Sequence, residues 1–297
     1  MTADDPGRLP ARLDALGIRP KHHRGQNFLV SEAILQQIVE AAQVGADDWV
    51  IEVGPGPGNL TRLLAKRAAK VIAVEVDERL LALLRRDLAD QLNLCAVLGD
   101  ARRLTPAELL RRAGDASGSH PYKVVANLPY YLTSAILRQF LESAPAPQLL
   151  VVTVQWEVAQ RIVAQPPQMS LLGVAVQFYA EPQVVRKVPA GAFHPRPKVD
   201  SAVLRLGVRP RQEWPHGDPE AFFRIVSAGF SQRRKQLGNS LSHGLGVRSQ
   251  AVLPALAAAG VLATRRAETL TLEEWSRLTD ALSLPHGEGD GQPLGVG

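Results

Sequence analysis

Short blocks of β-branched and aliphatic residues alternate along this chain with longer stretches in which apolar residues return every three or four positions. Trp49 to Val53, Val71 to Val74, Leu94 to Leu98, Tyr122 to Ala126 and Gln148 to Val154 read as buried strands. Helical spacing predicts elements from Ser31, a candidate N-cap, to about Ala42, from about Asn59 onward, and over Asp77 to Ala89. Further helices are predicted from Thr105-Pro106, over Thr133 to Leu141 and over Glu157 to Ala164. Leu171 to Tyr179 fits either a strand or a helix. Pro182 to Pro189 and Ser201 to Val208 alternate like a late antiparallel pair. Strands that alternate with helices predict βαβ units, and so an α/β fold around a mainly parallel sheet.

The pattern changes after Val208. Residues 209–219 hold three prolines and read as a linker, and residues 220–284 keep helical spacing to about Leu282. The prediction is an α/β domain over residues 21–208 and a small all-α domain over 220–284. Residues 1–20 are expected to be a flexible lead, and 285–297, rich in glycine and proline, a flexible tail.

Composition narrows the classes. Of 297 residues, 45% are hydrophobic and 21% charged, which excludes a wholly disordered chain. No apolar run reaches the roughly 18–20 residues that span a bilayer. Asp4 and Asp5 open a segment without the apolar region of a secretory signal. A single cysteine, Cys95, excludes an intramolecular disulfide and a CxxC zinc site; it is expected to pack in the core of a protein kept in the reducing cytoplasm. The histidines form no HxxxH pair or His/Cys cluster, so no metal is expected. A formal net charge of +5 and a pI of about 9.6 favour a polyanionic partner. Basic residues gather at Arg19 to Arg24, at Arg205, Arg209 and Arg211, and at Arg233, Arg234 and Lys235, although any one group could be solvated surface.

Candidate chemistry lies at successive strand ends. The first strand runs into Gly54-Pro55-Gly56-Pro57-Gly58, where glycine permits positive φ and close approach of a ligand. This is GxGxG behind an acidic Glu52, not the GxGxxG of a dinucleotide site. The next strand ends at Glu75, a carboxylate able to accept both ribose hydroxyls, and the third at Gly99-Asp100-Ala101, where Asp100 can accept an adenine amine. Alone, either acid could simply cap the following helix; together they suit an adenosine-bearing ligand. The fourth strand ends in Asn127-Leu128-Pro129-Tyr130. An exocyclic adenine amine is a poor nucleophile because its lone pair is delocalised into the ring. The Asn127 side-chain carbonyl and the Leu128 backbone carbonyl can accept its two N–H groups, drawing the nitrogen toward tetrahedral geometry for methyl transfer. Pro129 would stiffen the turn, and Tyr130 would offer a face on which an extruded base stacks. Downstream, Phe193 to Ser201 either braces the late hairpin or sets Phe193 as the other wall of a base pocket, opposite Tyr130.

At these residues the chain resembles the ribosomal RNA adenine N6,N6-dimethyltransferase family, and within it the small-subunit (16S) enzymes linked to kasugamycin resistance. The resemblance runs in order from about Lys21 to Leu282. It takes in Gly25-Gln26-Asn27-Phe28-Leu29, the glycine loop, Glu75, Gly99-Asp100-Ala101 and Asn127 to Tyr130. It continues through Gln155, Glu157 and Arg161, Phe193 to Ser201, Gln232 to Lys235, Asn239-Ser240-Leu241 and Arg266-Ala267-Glu268. It departs at Arg24, at Met169-Ser170-Leu171-Leu172-Gly173, and at Gly238, where the family often has a basic residue. The resemblance implies a Rossmann-like class I methyltransferase fold with a mainly parallel seven-stranded sheet, and S-adenosylmethionine as cofactor. It implies that Asn27 and Leu29 close over the cofactor, that Gly54 contacts its amino-acid end, that Glu75 holds its ribose and that Asp100 binds its adenine, with Gly56 and Ala101 also among the cofactor-binding residues. Asn127 would lie between cofactor and target, and Arg233, Arg234 and Lys235 would touch RNA. The implied reaction places two methyls on each of two adjacent adenosines in the 3′-terminal helix loop of 16S RNA, within a partly assembled pre-30S subunit. A monomer acting without membrane or metal is expected. Three rivals stand beside this reading: an erythromycin-resistance-type enzyme acting on 23S RNA, an NAD-dependent oxidoreductase, and an assembly factor with catalysis secondary or absent.

Overall fold

The computed structural model describes residues 26–283. The lead over 1–20, the tail over 285–297 and the basic group from Arg19 to Arg24 lie outside the described residues. The chain divides into two compact units. One holds the described residues up to Val163 together with Tyr179–Pro210, and the other holds Ala164–Phe178 together with the described residues from Arg211 onward.

The first unit is built on strands β1 (Phe28–Leu29), β2 (Trp49–Val53), β3 (Lys70–Glu75), β4 (Leu94–Leu98) and β5 (Tyr122–Asn127). They are followed by β6 (Leu149–Gln155), β7 (Ala180–Val188), β8 (Phe193–His194) and β9 (Ser201–Val208). Its helices are α1 (Glu32–Ala41), α2 (Asn59–Ala65), α3 (Glu78–Asp87), α4 (Pro106–Arg112), α5 (Thr133–Glu142) and α6 (Trp156–Val163). Seven strands form one sheet in the order β4-β3-β2-β5-β6-β9-β7. β2 through β6 pair in parallel, and β9 runs antiparallel between β6 and β7. The strand order reverses between β2 and β5, and the crevice above such a reversal is where open α/β sheets bind ligands.

Sequence explains this layout. Val50, Ile51, Val71, Ile72, Val124, Val125 and Leu150 to Val152 are wholly buried, as central parallel strands covered on both faces require. Ile34, Ile38 and Val39 of α1 and Leu60 and Leu64 of α2 share one core cluster with Val50, Val71, Val125 and Val151. Leu81 and Leu84 of α3 form another with Ala73. By contrast β7, at the sheet edge, alternates exposed with half-buried positions between its buried ends. α3 is capped by Asp77, whose side chain accepts from Arg79 N. α4 opens with Thr105 and Glu108 in a reciprocal capping box and Pro106 in its first turn. Ser31 is the N-cap position of α1 but makes no side-chain capping bond. β4 is the other edge strand, so Cys95 is only half-buried, with its thiol 3.6 Å from the Arg112 carbonyl, and not the core residue that its apolar neighbours suggest.

The second unit comprises helices α7 (Leu171–Tyr179), α8 (Pro219–Phe230), α9 (Leu237–Leu245), α10 (Ser249–Ala258) and α11 (Leu272–Ser283), with α7 clustering there as far as Phe178. Leu171 to Tyr179 is thus a helix, and residues 164–178 group with the helical unit although the sequence reading assigned them to the α/β domain. The proline-rich 209–219 segment is structured: Arg211–Glu213 forms a 3-10 turn, and the Trp214 ring centroid lies 5.7 Å from that of Phe178. Trp275, Phe222, Leu237, Leu241 and Leu278 form the buried interior of this unit.

Candidate functional site

The carboxyl ends of β2, β3, β4 and β5 converge on a cavity of about 260 Å³. β2 delivers the glycine loop. Gly54, Gly56 and Gly58 all have positive φ, at 68°, 57° and 88°. A Cβ on Gly54 would meet open space, whereas one on Gly56 would stand 2.9 Å from the Phe28 ring. The loop thus keeps its backbone bare against the cavity and tight against β1. Gly58 opens α2 in a left-handed conformation.

Glu75 ends β3 almost fully buried and lines the cavity. Its Oε1 accepts from Val76 N and Asp77 N, each at 2.9 Å, and its Oε2 accepts from Gly56 N at 3.2 Å. Burial pushes this carboxyl above the usual carboxylate range, against the pull of those three backbone N–H groups. Asp100 follows β4 and also lines the cavity. Arg102 grips it through Nε at 3.0 Å and Nη2 at 2.6 Å, which holds the Asp100 carboxyl below its ordinary range.

β5 brings the polar turn. Asn127 donates from Nδ2 to the Asn27 carbonyl at 2.9 Å, which leaves Oδ1 as the acceptor of that side chain. Leu128 N donates to Thr153 O at 3.3 Å, extending the β5–β6 ladder one residue further. Pro129, with φ −57° and ψ 128°, turns the chain into a 3-10 turn over Tyr130–Leu132. The Tyr130 phenol lies 2.8 Å from the hydroxyl of fully buried Ser201. Burial raises the Tyr130 phenol above its ordinary range, so it stays neutral and can present an uncharged ring. Phe193 lines the same cavity from β8, which pairs with β1 through Leu29↔Phe193.

The structure therefore brings Asn27, Gly54, Gly56, Glu75, Asp100, Ala101, Asn127, Leu128, Pro129, Tyr130 and Phe193 to one cavity. Leu29 does not line it. Its side chain is buried in the core with Ile34 and Phe193, and only its carbonyl is engaged nearby, by Asn59 Nδ2 at 3.2 Å. Sequence reasoning missed Phe28, Arg102, Tyr131 and Ser201. Arg233, Arg234 and Lys235 lie in the other unit, all exposed, between α8 and α9. Among the described residues no three His, Cys, Asp or Glu side chains gather as a metal site, and no helix is long and apolar enough to cross a membrane.

Glu52, on β2 behind the loop, is fully buried, and burial pushes its carboxyl up to about 8. Its Oε2 has no well-formed hydrogen-bond partner among the described residues, and the nearby Thr61 hydroxyl pulls the carboxyl only partly back down against burial.

Comparison with known proteins places these features in a family. The family model described as "Ribosomal RNA adenine dimethylase" matches residues 18–283. A protein of Dehalococcoides mccartyi named "Ribosomal RNA small subunit methyltransferase A" is 46% identical over 267 residues, covering 90% of this chain and 89% of the relative. Its namesake in Moorella thermoacetica is 45% identical over 281 residues, covering 93% and 97%. Among solved structures, the 23S rRNA methyltransferase ErmE superposes with a TM-score of 0.67 at 31% identity, covering 87% of this chain and all of that one. A dimethyladenosine transferase from Plasmodium falciparum has the same fold, with a TM-score of 0.68 at 22% identity over 84% and 94%. The sheet is accordingly the Rossmann-like sheet of the class I methyltransferases, and the chain belongs to the ribosomal RNA adenine dimethylase family.

Proposed function

We propose that the chain transfers methyl groups from S-adenosylmethionine to N6 of two adjacent adenosines in the 3′-terminal helix loop of 16S RNA, two to each, within a partly assembled pre-30S subunit in the cytoplasm. One observation carries this reading. A single cavity joins an adenosine-type lining of bare glycine backbone, Glu75 and Asp100 to an amine-type lining of Asn127, Leu128 and Tyr130. The residues present fit the cofactor. Gly54 offers room where any Cβ would intrude, Glu75 is a buried acceptor suited to ribose hydroxyls, and Asp100 and Ala101 stand at the next strand end, where its adenine would lie. When bound, S-adenosylmethionine supplies an electrophilic methyl.

The protein's own residues orient the nucleophile. With Nδ2 committed to Asn27, Asn127 presents Oδ1 to one N–H of the target amine. The Leu128 carbonyl accepts the other. Both acceptors belong to a turn stiffened by Pro129, so they cost little reorganisation as the nitrogen pyramidalises. Tyr130 and Phe193 hold the extruded base between aromatic surfaces, and the buried Ser201 hydroxyl fixes the Tyr130 ring from its far edge. After one transfer the amine keeps a single N–H, so one acceptor is idle in the second round and stacking carries more of the positioning.

Relatives at 45–46% identity bear the small-subunit name over nine-tenths of this chain, which favours 16S over the 23S target of ErmE, at 31%. Tritiated S-adenosylmethionine offered with undermethylated small or large subunits tests the choice. Dimethyladenosine in the small subunit alone is the expected product, whereas label confined to the large subunit moves the assignment to the resistance type.

A further inference from the structure

Tyr131 is the only Phe, Trp or Tyr that is exposed among the described residues, at 59%. Tyr130, beside it in the same 3-10 turn, points its phenol inward to buried Ser201. Tyr131 nonetheless lines the cavity, at its mouth. A ring left that open contributes little to the fold, while an aromatic face at the entrance of a base pocket is a stacking surface. A fixed cation lines the same cavity. The Arg102 guanidinium is clamped on Asp100 through Nε and Nη2, and Nη1 takes no part in that pair. It lies within electrostatic reach of the Tyr131 phenol. The mouth therefore combines an aromatic face with a preoriented guanidinium.

We propose that Tyr131 and Arg102 form a subsite for the nucleotide next to the adenosine being methylated, its base stacked on the Tyr131 ring and its phosphate on Arg102. The subsite rests on the methyltransferase reading above and deepens it. A base drawn into the cavity pulls its neighbour to the mouth, because one sugar–phosphate linkage separates them. Stacking that neighbour outside the cavity offsets part of the cost of unstacking the target. Any base has a face to stack, so the subsite sets position more than identity.

The test measures methylation of undermethylated small subunits by the full chain and its Tyr131→Ala, Tyr131→Phe and Arg102→Gln variants, with cofactor affinity and melting temperature for each. Tyr131→Ala is expected to raise KM for subunits about tenfold with cofactor affinity unchanged, and Tyr131→Phe to stay near the parent protein. Arg102→Gln is expected to make the salt dependence of subunit binding shallower by roughly 0.7 in slope, the share of one phosphate on a single strand. A parent-like KM in Tyr131→Ala, or a Tyr131→Phe as poor as the alanine variant, overturns the stacking platform, and an unchanged salt slope overturns the phosphate contact. If the unsubstituted protein labels no small-subunit adenosine, the methyltransferase reading fails and takes the subsite with it. A parent protein that is active beside an indifferent Tyr131→Ala removes the platform alone.

Discussion

Glu52 has its carboxyl fully buried one residue before the strand runs into the glycine loop, with no well-formed partner for Oε2 and Glu75 as a nearby like charge. Its folded-state pKa, about 8, lies above the ordinary 4.5 chiefly because burial penalises the charged form. The folded protein therefore holds this proton more tightly than the unfolded chain. The stability linked to it is complete below pH 4.5 and is lost as pH rises toward and through 8. Replacing Glu52 with Gln keeps the shape and removes the titration, so the variant should lose less stability than the parent protein across that window. Denaturant midpoints taken from pH 5 to about 9 would show it, and parallel curves would mean that Glu52 does not carry the effect. Asn127 calls for a different measurement. Asn127→Ala removes the Oδ1 acceptor and the tie to Asn27, but no glycine or acid of the cofactor side. Cofactor binding by calorimetry should survive, while methyl transfer falls by roughly 10²–10³, the usual cost of one preorganised polar contact to a transition state. Transfer at the parent rate would end the amine-activation role.

Among the elements, α8 and α9 pack so closely that a glycine becomes obligatory. A Cβ at Gly244 in α9 would stand 2.5 Å from the Cα and 2.7 Å from the carbonyl oxygen of Ala228 in α8. Helix propensity alone favours alanine over glycine by about 1 kcal/mol, so the two effects oppose each other. Backbone cannot swing aside as a side chain can, and overpacking typically costs about 1–3 kcal/mol, so Gly244→Ala should destabilise the helical unit. A raised melting temperature would show that the helices separate at little cost. Such a contact is invisible in sequence, because it depends on which helix faces which. The parallel strands were legible because burial on both faces writes a continuous apolar run, and the runs of β2 to β5 ended on a glycine, acid or amide that the structure places at the cavity. Ser201–Val208 came out residue for residue. α7 did not, because LLGVAVQFY is apolar on every side and a short run of that kind has no readable period. Phe28 and Leu29 show the limit most sharply. Successive strand side chains point to opposite faces, so one of the pair meets the cavity and the other the core. The order of those faces depends on pairing with Phe193 and His194, far along the chain, so nothing local shows that the Leu29 side chain turns to the core while that of Phe28 lines the cavity. Ser201 and Tyr130, 71 residues apart, were missed as partners for the same reason.

Over the whole molecule, the excess of 34 basic over 29 acidic residues says little until the pairs are removed. Arg79, Lys123, Arg138 and Lys187 each hold an aspartate or glutamate, Arg265 is paired with Glu274, and Arg102 holds Asp100 while keeping Nη1 out of that pair. Of the basic group at 205–211, Arg209 is tied to Glu181 and Arg211 lies over the Trp214 ring, so two of its three charges have structural work. Arg233, Arg234 and Lys235 differ: all three are exposed, and none pairs with a carboxylate among the described residues. Three adjacent cations left unneutralised suit a polyanion, since each phosphate they meet releases condensed counterions. Replacing all three with Gln should weaken binding to small subunits and make the dependence of log affinity on log salt shallower by up to roughly 2, at about 0.7 per phosphate on single-stranded RNA. The melting temperature should stay near that of the parent protein, because exposed charges without partners contribute little to folding. A titration series from low to high salt separates the possibilities. Parallel lines for the two proteins would show that these residues touch no phosphate. An equal slope with a lowered melting temperature would assign them to the fold, and a shallower slope with unchanged melting makes them part of the RNA-binding surface.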